Sequence, residues 1–151
     1  MKNLLPAFIM VLLVFSSCSK FEEYHESRVV PSEGWEISNV LNFKDSLPDN
    51  LPEKFSLELQ IRHKNNYKYG NIWLYLRTET SDSTVRFDTV NWKLADYSGR
   101  WFGKGWGSLY SLTYTMPDLT ISKKVEKRWF KIDIQHGLRD KELKGVESSR
   151  S

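Results

Sequence analysis

The chain has 151 residues, 22 Lys and Arg against 19 Asp and Glu, a net charge of +3, and one cysteine. So small an excess, with no long basic run, argues against a nucleic-acid partner. A lone cysteine excludes an internal disulfide, so stability must come from packing.

The first stretch has the layout of a secretory signal. Lys2 gives a positive start, Leu4 to Phe15 is a nearly unbroken apolar run of twelve residues, and Ser16 and Ser17 precede Cys18. Twelve residues are too few for the roughly 20 of a spanning helix. Ser-Ser-Cys resembles the bacterial lipobox, in which the cysteine is acylated and the bond before it is cut; Phe15 stands where Leu is usual. The expectation is a lipoprotein-type signal peptide over 1–17 and lipidation at Cys18. Each buried acyl CH₂ adds about 0.8 kcal/mol of membrane affinity, so several chains on one residue anchor a domain. Removal leaves 151 − 17 = 134 residues and, with Lys2 gone, 21 − 19 = +2. That is one domain's worth.

Residues 18–33 read as a flexible tether: polar, aperiodic, with Glu22, Glu23 and Glu26. These acids also resemble the surface-export tags of some Bacteroidetes lipoproteins, interrupted here by Lys20 and Phe21. A domain over 34–146 follows. Trp35 to Phe43 reads as a first strand, with Trp35, Ile37, Leu41 and Phe43 on one face. Phe55 to Arg62 alternates most cleanly, with Phe55, Leu57, Leu59 and Ile61 inward. Ile72 to Arg77 is apolar on both faces and belongs centrally. Val85 to Leu94 changes phase, from Val85 and Phe87 to Val90, Trp92 and Leu94; a bulge near Asp88-Thr89, or a junction of two strands, would explain it. Asp96 to Gly99 is a turn. Ser108 to Met116 is a strand, Leu119 to Arg128 reads equally as a helical turn or as strand and loop, and Trp129 to His136 is the last clear strand. Residues 147–151 read as a polar C-terminal tail.

Seven or eight short strands without a long helix predict an all-β fold: an antiparallel two-sheet sandwich, jelly-roll-like.

Little here points to catalysis. His25, His63 and His136 have no partner at metal-ligand spacing, and no serine sits in a nucleophile motif. Asp88 and Asp96 sit at turns, where backbone hydrogen bonding explains an Asp. No metal, cofactor or catalytic residue is expected, although two distant carboxylates meeting across the fold would be invisible at this level. The aromatic and glycine-rich stretch Trp101 to Tyr114 has two readings. Its rings fill a core while Gly103, Gly105 and Gly107 make a bulged corner, or they anchor a partner. The candidate partner-binding residues are Tyr67, Tyr69, Trp101, Trp106 and Tyr110.

Several pieces in order resemble the gliding-motility lipoprotein GldH family of Bacteroidetes: the lipobox cysteine, Gly34-Trp35, Arg62, Tyr67-Lys68-Tyr69-Gly70-Asn71-Ile72-Trp73-Leu74, Asp88-Thr89-Val90, Leu94-Ala95-Asp96, Gly99-Arg100-Trp101 with Gly103-Lys104-Gly105, Gln135-His136-Gly137-Leu138-Arg139 and Leu143-Lys144-Gly145-Val146. Family members usually continue after the Gly-Val step into a final apolar strand; here Glu147-Ser148-Ser149-Arg150-Ser151 follows, which would leave a neighbouring edge unpaired. The resemblance implies a lipid-anchored cell-envelope protein, placed on the outer membrane, serving gliding as a non-enzymatic accessory or scaffold. Its partners would be the membrane, through the lipid, and other envelope or gliding proteins. The second reading is an envelope-anchored module that binds polysaccharide or protein through exposed rings.

Overall fold

The computed structural model describes residues 27–30 and 33–150. The expected signal peptide, Cys18 and most of the expected tether lie outside them. Thirteen strands occur among the described residues: β1 (Ser27–Val29), β2 (Trp35–Glu36), β3 (Leu41–Ser46), β4 (Lys54–Phe55), β5 (Glu58–Lys64), β6 (Asn71–Thr80), β7 (Val85–Lys93), β8 (Lys104–Trp106), β9 (Leu109–Thr115), β10 (Leu119–Thr120), β11 (Trp129–His136), β12 (Glu142–Leu143) and β13 (Val146–Arg150). Seven of them, β3, β5, β6, β7, β9, β11 and β13, have five or more residues and build the two main sheets.

Sheet I has the order β1-β13-β5-β9-β8 and sheet II the order β3-β11-β6-β7, all antiparallel. Two-stranded pieces, β10-β4 and β12-β2, close the ends. Outside the β6–β7 and β8–β9 hairpins, the long strands alternate between sheets along the chain, as the sandwich reading requires. One core fills the space between them. Leu59 and Ile61 of β5 and Leu112 of β9 meet Leu41 and Phe43 of β3, Ile72, Leu74 and Leu76 of β6, and Ile132 and Ile134 of β11. Period-two alternation is the cause: the residues between these, such as Glu58, Asn42 and Thr113, face outward.

Six expectations need correction. Asp88, placed at a turn, lies within β7 opposite Leu76. Phe55 to Arg62, read as one strand, is divided between β4 and β5. Ser27–Val29, placed in the tether, is the edge strand β1. Val146–Arg150, placed largely in a polar tail, is β13 and lies between β1 and β5, so this side of β5 is paired. The predicted first strand is two, β2 and β3, divided by a turn in which the Asn39 N–H donates to Glu36 O; Ile37 is exposed in it rather than inward. The phase change in β7 is neither bulge nor junction. Its register with β6 is unbroken from Val85 to Lys93, and Val85 and Phe87 simply face outward.

Leu119 to Arg128 resolves as β10 and a loop anchored by Arg128. Its buried guanidinium donates to Pro52 O through Nη1 and to Pro48 O and Leu51 O through Nη2, at 3.2, 2.8 and 2.8 Å. That makes one side chain the organiser of the loop between β3 and β4.

The two ends of the sandwich differ. The chain enters β1 at Ser27, level with Gln60 of β5 and Thr113 of β9. From that level β5 runs away to Lys64, which pairs with Leu109, which in turn pairs with Trp106 of β8. The loop from Lys64 to Asn71 starts β6 at this same far end, where the aromatic residues gather.

Candidate functional site: the aromatic end of the sandwich

His63 is the hub. It points inward from β5 like Leu59 and Ile61, and it is fully buried. Register places it opposite Tyr110, whose ring stacks on it at 5.6 Å and 15°. Trp101 lies 4.6 Å away and Tyr67 5.6 Å away, centroid to centroid. Tyr67 in turn meets Tyr69 edge-on at 6.0 Å and donates through its hydroxyl to Asn71 O. Burial pushes the Tyr67 phenol far above its usual value, so it stays protonated.

The loops that bring these rings together are built from local hydrogen bonds. Asp96 accepts from Ser98 N, Ser98 Oγ and Arg100 N at 2.9, 2.6 and 2.9 Å, closing the turn ahead of Trp101. Those donors, the Ser98 hydroxyl foremost, lower its pKa to about 2. Ala95 and Trp101 then pair as an isolated bridge. Gly103 follows with φ +86°, and a Cβ there would collide with the Ser111 carbonyl. A Cβ on Gly105 would stand 2.9 Å from the Tyr110 ring. The glycines thus let β8 lie close against β9 and its aromatic side chain.

At the rim, Tyr69 donates to Asp140 at 2.7 Å, Lys68 pairs with the same oxygen at 3.4 Å, and the Lys68 ammonium sits 5.1 Å over the Tyr69 ring. The Tyr69 hydrogen bond is the chief reason that the Asp140 carboxyl is held below its usual range.

Of the five candidate residues, the fold brings four together: Tyr67, Tyr69, Trp101 and Tyr110 form one packed group around His63, buried or half-buried. Trp106 stands apart at the β8–β9 hairpin, 92% exposed. The five do not make a row of open rings. Other rings that sequence reasoning passed over are open at this end, Tyr97 and Phe102, and on the outer face of sheet II, Trp73, Tyr75 and Phe87. The signal for Trp73 and Tyr75 was there. In a central strand apolar on both faces, the larger aromatic set sits opposite Ile72, Leu74 and Leu76.

The ring nitrogens that bond, His63 Nδ1 and His136 Nε2, do so to backbone carbonyls, of Lys64 and Trp35, each at 3.0 Å. Among the described residues no three His, Cys, Asp or Glu come together as metal ligands would. The arrangement offers rings, amides and one tyrosine–carboxylate–lysine contact.

A family model described as GldH lipoprotein matches residues 22–149. The chain is 28% identical over 102 residues to a gliding motility lipoprotein GldH homolog of Christiangramia forsetii, covering 68% of this chain and 61% of that protein. It is 27% identical over 142 residues to the gliding motility lipoprotein GldH of Flavobacterium johnsoniae, covering 93% and 85%. The matched part therefore spans less than two thirds of the first relative's length. No solved structure matches.

Proposed function

This chain belongs to the GldH lipoprotein family, and from that premise we propose that it is a lipid-anchored protein of the cell envelope, a non-enzymatic accessory or scaffold of gliding motility. The observation that carries the reading is the extent of the match, over residues 22–149 and so across both sheets. Acylated Cys18 holds the chain to the membrane, on this reading the outer one. Eight residues lie between Cys18 and Ser27, a reach of at most about 30 Å. Because the chain enters β1 at the Ser27 level, that end of the sandwich faces the lipid and the aromatic end faces outward to other envelope proteins. The open rings of Tyr97, Phe102 and Trp106 there are the residue types that anchor interfaces.

The test uses the full chain in intact cells. Cys18→Ser is expected to release the protein from membranes and to lose label from a fatty-acid probe. A photo-crosslinking residue at Tyr97 is expected to capture an envelope protein, and one at Ser83, in the β6–β7 turn at the opposite end, is not. No capture from either position sinks the scaffold reading; equal fatty-acid labelling of wild type and Cys18→Ser sinks the anchor.

A further inference from the structure

The outer face of sheet II is divided by chemistry. Toward the Ser27 end it carries a self-compensated charge network: Arg77 with Glu79 at 2.8 Å and with Asp133 at 3.3 Å, and Lys131 with Asp133 at 3.2 Å. Toward the aromatic end the outward residues of its three adjacent strands lose their charge. Gln135 of β11 stands opposite Tyr75 of β6, which stands opposite Thr89 of β7; Trp73 stands opposite Asn91, and Asn71 follows. Lys93, turned toward the Tyr97 ring at 5.4 Å, bounds the area. Within it Tyr75 is half exposed and Trp73 40% exposed; Phe87, 74% exposed and diagonal to Tyr75, lies at its border, opposite Arg77 of the charge network.

The Tyr75 ring is held in place by an absence of side chain beside it. A Cβ built on Gly137 would stand 2.7 Å from Tyr75 Cε2 and 2.8 Å from Cζ. Gly137 follows β11, its N–H donating to Trp73 O, and is diagonal to Tyr75 across the ladder. To reach it the ring must lie along the sheet instead of standing off it, which leaves its other side toward solvent. The amides beside it are half-used. Asn71 Nδ2 donates to Asn91 Oδ1 at 2.7 Å, so the Asn71 oxygen can still accept and the Asn91 NH₂ can still donate. Gln135 Nε2 donates to Ile37 O at 2.6 Å, leaving its oxygen.

We propose that this face binds an uncharged polysaccharide, its sugar rings stacking on Tyr75 and Trp73 and its hydroxyls bonding to Asn71, Asn91, Thr89 and Gln135. A pyranose has one face of C–H groups and a rim of hydroxyls, each both donor and acceptor. It is complementary to a flat ring edged with amide oxygens and NH₂ groups. The charges that border the area, Arg77 and Asp133, are already paired with each other, so a charged chain would give up hydration with little to replace it, and an uncharged one is favoured. Protein anchors want closed, water-excluding pockets, and this face is a shallow surface on a sheet. From Trp73 to Phe87 the open rings span about 14 Å, four residues along a strand and one strand across, which suits a run of sugars more than a single one. The site is distinct from the cluster around His63 and does not depend on the lipid anchor or on gliding.

The experiment is affinity electrophoresis of the full chain through gels containing dextran, mannan, laminarin or galactomannan, each uncharged. At least one is expected to retard the wild type. Tyr75→Ala and Trp73→Ala, both outward and expected to keep the melting temperature, should weaken retention by about tenfold or more. Gly137→Ala, which displaces the Tyr75 ring without removing it, should weaken it too, while Trp106→Ala should leave it unchanged. No retardation by any of the four overturns the proposal, as does equal retention by Tyr75→Ala. Self-association in sedimentation that Tyr75→Ala abolishes, without polysaccharide retention, overturns it in favour of a second copy of the chain.

Discussion

The imidazole of His136 donates through Nε2 to the backbone carbonyl of Trp35, 3.0 Å away and 101 residues earlier, and meets that residue's indole edge to face at 5.3 Å. His63 donates in the same way through Nδ1 to Lys64 O. A carbonyl only accepts, so the bonded nitrogen of each ring carries the proton. The other nitrogen, His136 Nδ1 and His63 Nε2, is buried without a protein partner. A second proton would therefore place a charge inside the core. Burial holds both rings below the usual histidine pKa, with the carbonyl bond opposing it to a smaller extent.

Mild acid should destabilise the domain for this reason. In the unfolded chain a histidine takes its proton near pH 6.5, in the folded chain at a lower pH. Stability is then level above about 6.5 and falls as pH drops from there toward the folded values, because the unfolded state binds more protons. The lowered carboxyls of Asp96 and Asp140 contribute above the usual carboxylate range and lose that only below about pH 4. The interval between about pH 6.5 and 5 thus belongs to the histidines. A melting temperature unchanged from about pH 7.5 to 5 would contradict this account.

Leu59→Asp should unfold the domain, whereas Glu58→Gln should leave it intact. Leu59 is 1% exposed between the sheets, and its neighbour faces water. An unpaired carboxylate in the core costs several kcal/mol, comparable to the whole stability of a small domain. Gln60→Asp, which strict alternation would class as harmless, is expected to fall between. The outer face of β5 is half-covered, and Gln60 Oε1 is buried with no partner. Equal melting temperatures for the Leu59 and Glu58 variants would refute the orientation of β5.

Two glycines with positive φ should respond differently to alanine. Gly107 (φ +62°) has open space around it, so Gly107→Ala costs only the left-handed backbone, about 1–2 kcal/mol. Gly103 (φ +86°) has that cost and a collision with the Ser111 carbonyl besides. Gly103→Ala should therefore separate β8 from β9 and open the cluster around His63. Tryptophan emission reads it: a red shift from Trp101 is expected in Gly103→Ala and not in Gly107→Ala.

Arg128→Lys should behave almost like Arg128→Met. Three carbonyls on one loop are gathered by a planar fork, and a single ammonium cannot reproduce that geometry. Hydrogen bonds to charged groups contribute about 1.5–3 kcal/mol each, and the freed carbonyls regain water in part, so a loss of a few kcal/mol is expected. Faster amide exchange confined to residues 47–53 would mark the loop as the part released. Unchanged exchange there in Arg128→Lys would refute the role.

How much of this was legible in the sequence depended on whether side chains or backbone carry the information. The strands β5, β9 and β11 announce themselves, since half of each strand's surface must be apolar to face the core. β13 does not. Glu147-Ser148-Ser149-Arg150 has no apolar period, and what makes it a strand is hydrogen bonding to β1 on one side and β5 on the other. Phe87 misled in the opposite direction, being apolar and outward, so that a regular strand imitated a bulged one. The aromatic residues of the far end were legible as a set but not as an arrangement. Tyr110 meets His63 because of a register between β5 and β9, and Trp101 arrives by a turn closed on Asp96. Neither shows as spacing along the chain.

The position of β13 also sets when the protein can fold. The first described strand pairs with the last, and the last pairs with β5, so β1 cannot join sheet I until residues 146–150 are available. Their arrival joins β13 to β1, 119 to 123 positions earlier, and to β5, 83 to 90 positions earlier, the slow class of contact. A ribosome partway along the message holds a chain in which β5, β9 and β8 can pair but β1 has no strand to join. For a chain proposed to leave the cytoplasm, a sheet that closes only with its last strand is compatible with transport in an unfinished state.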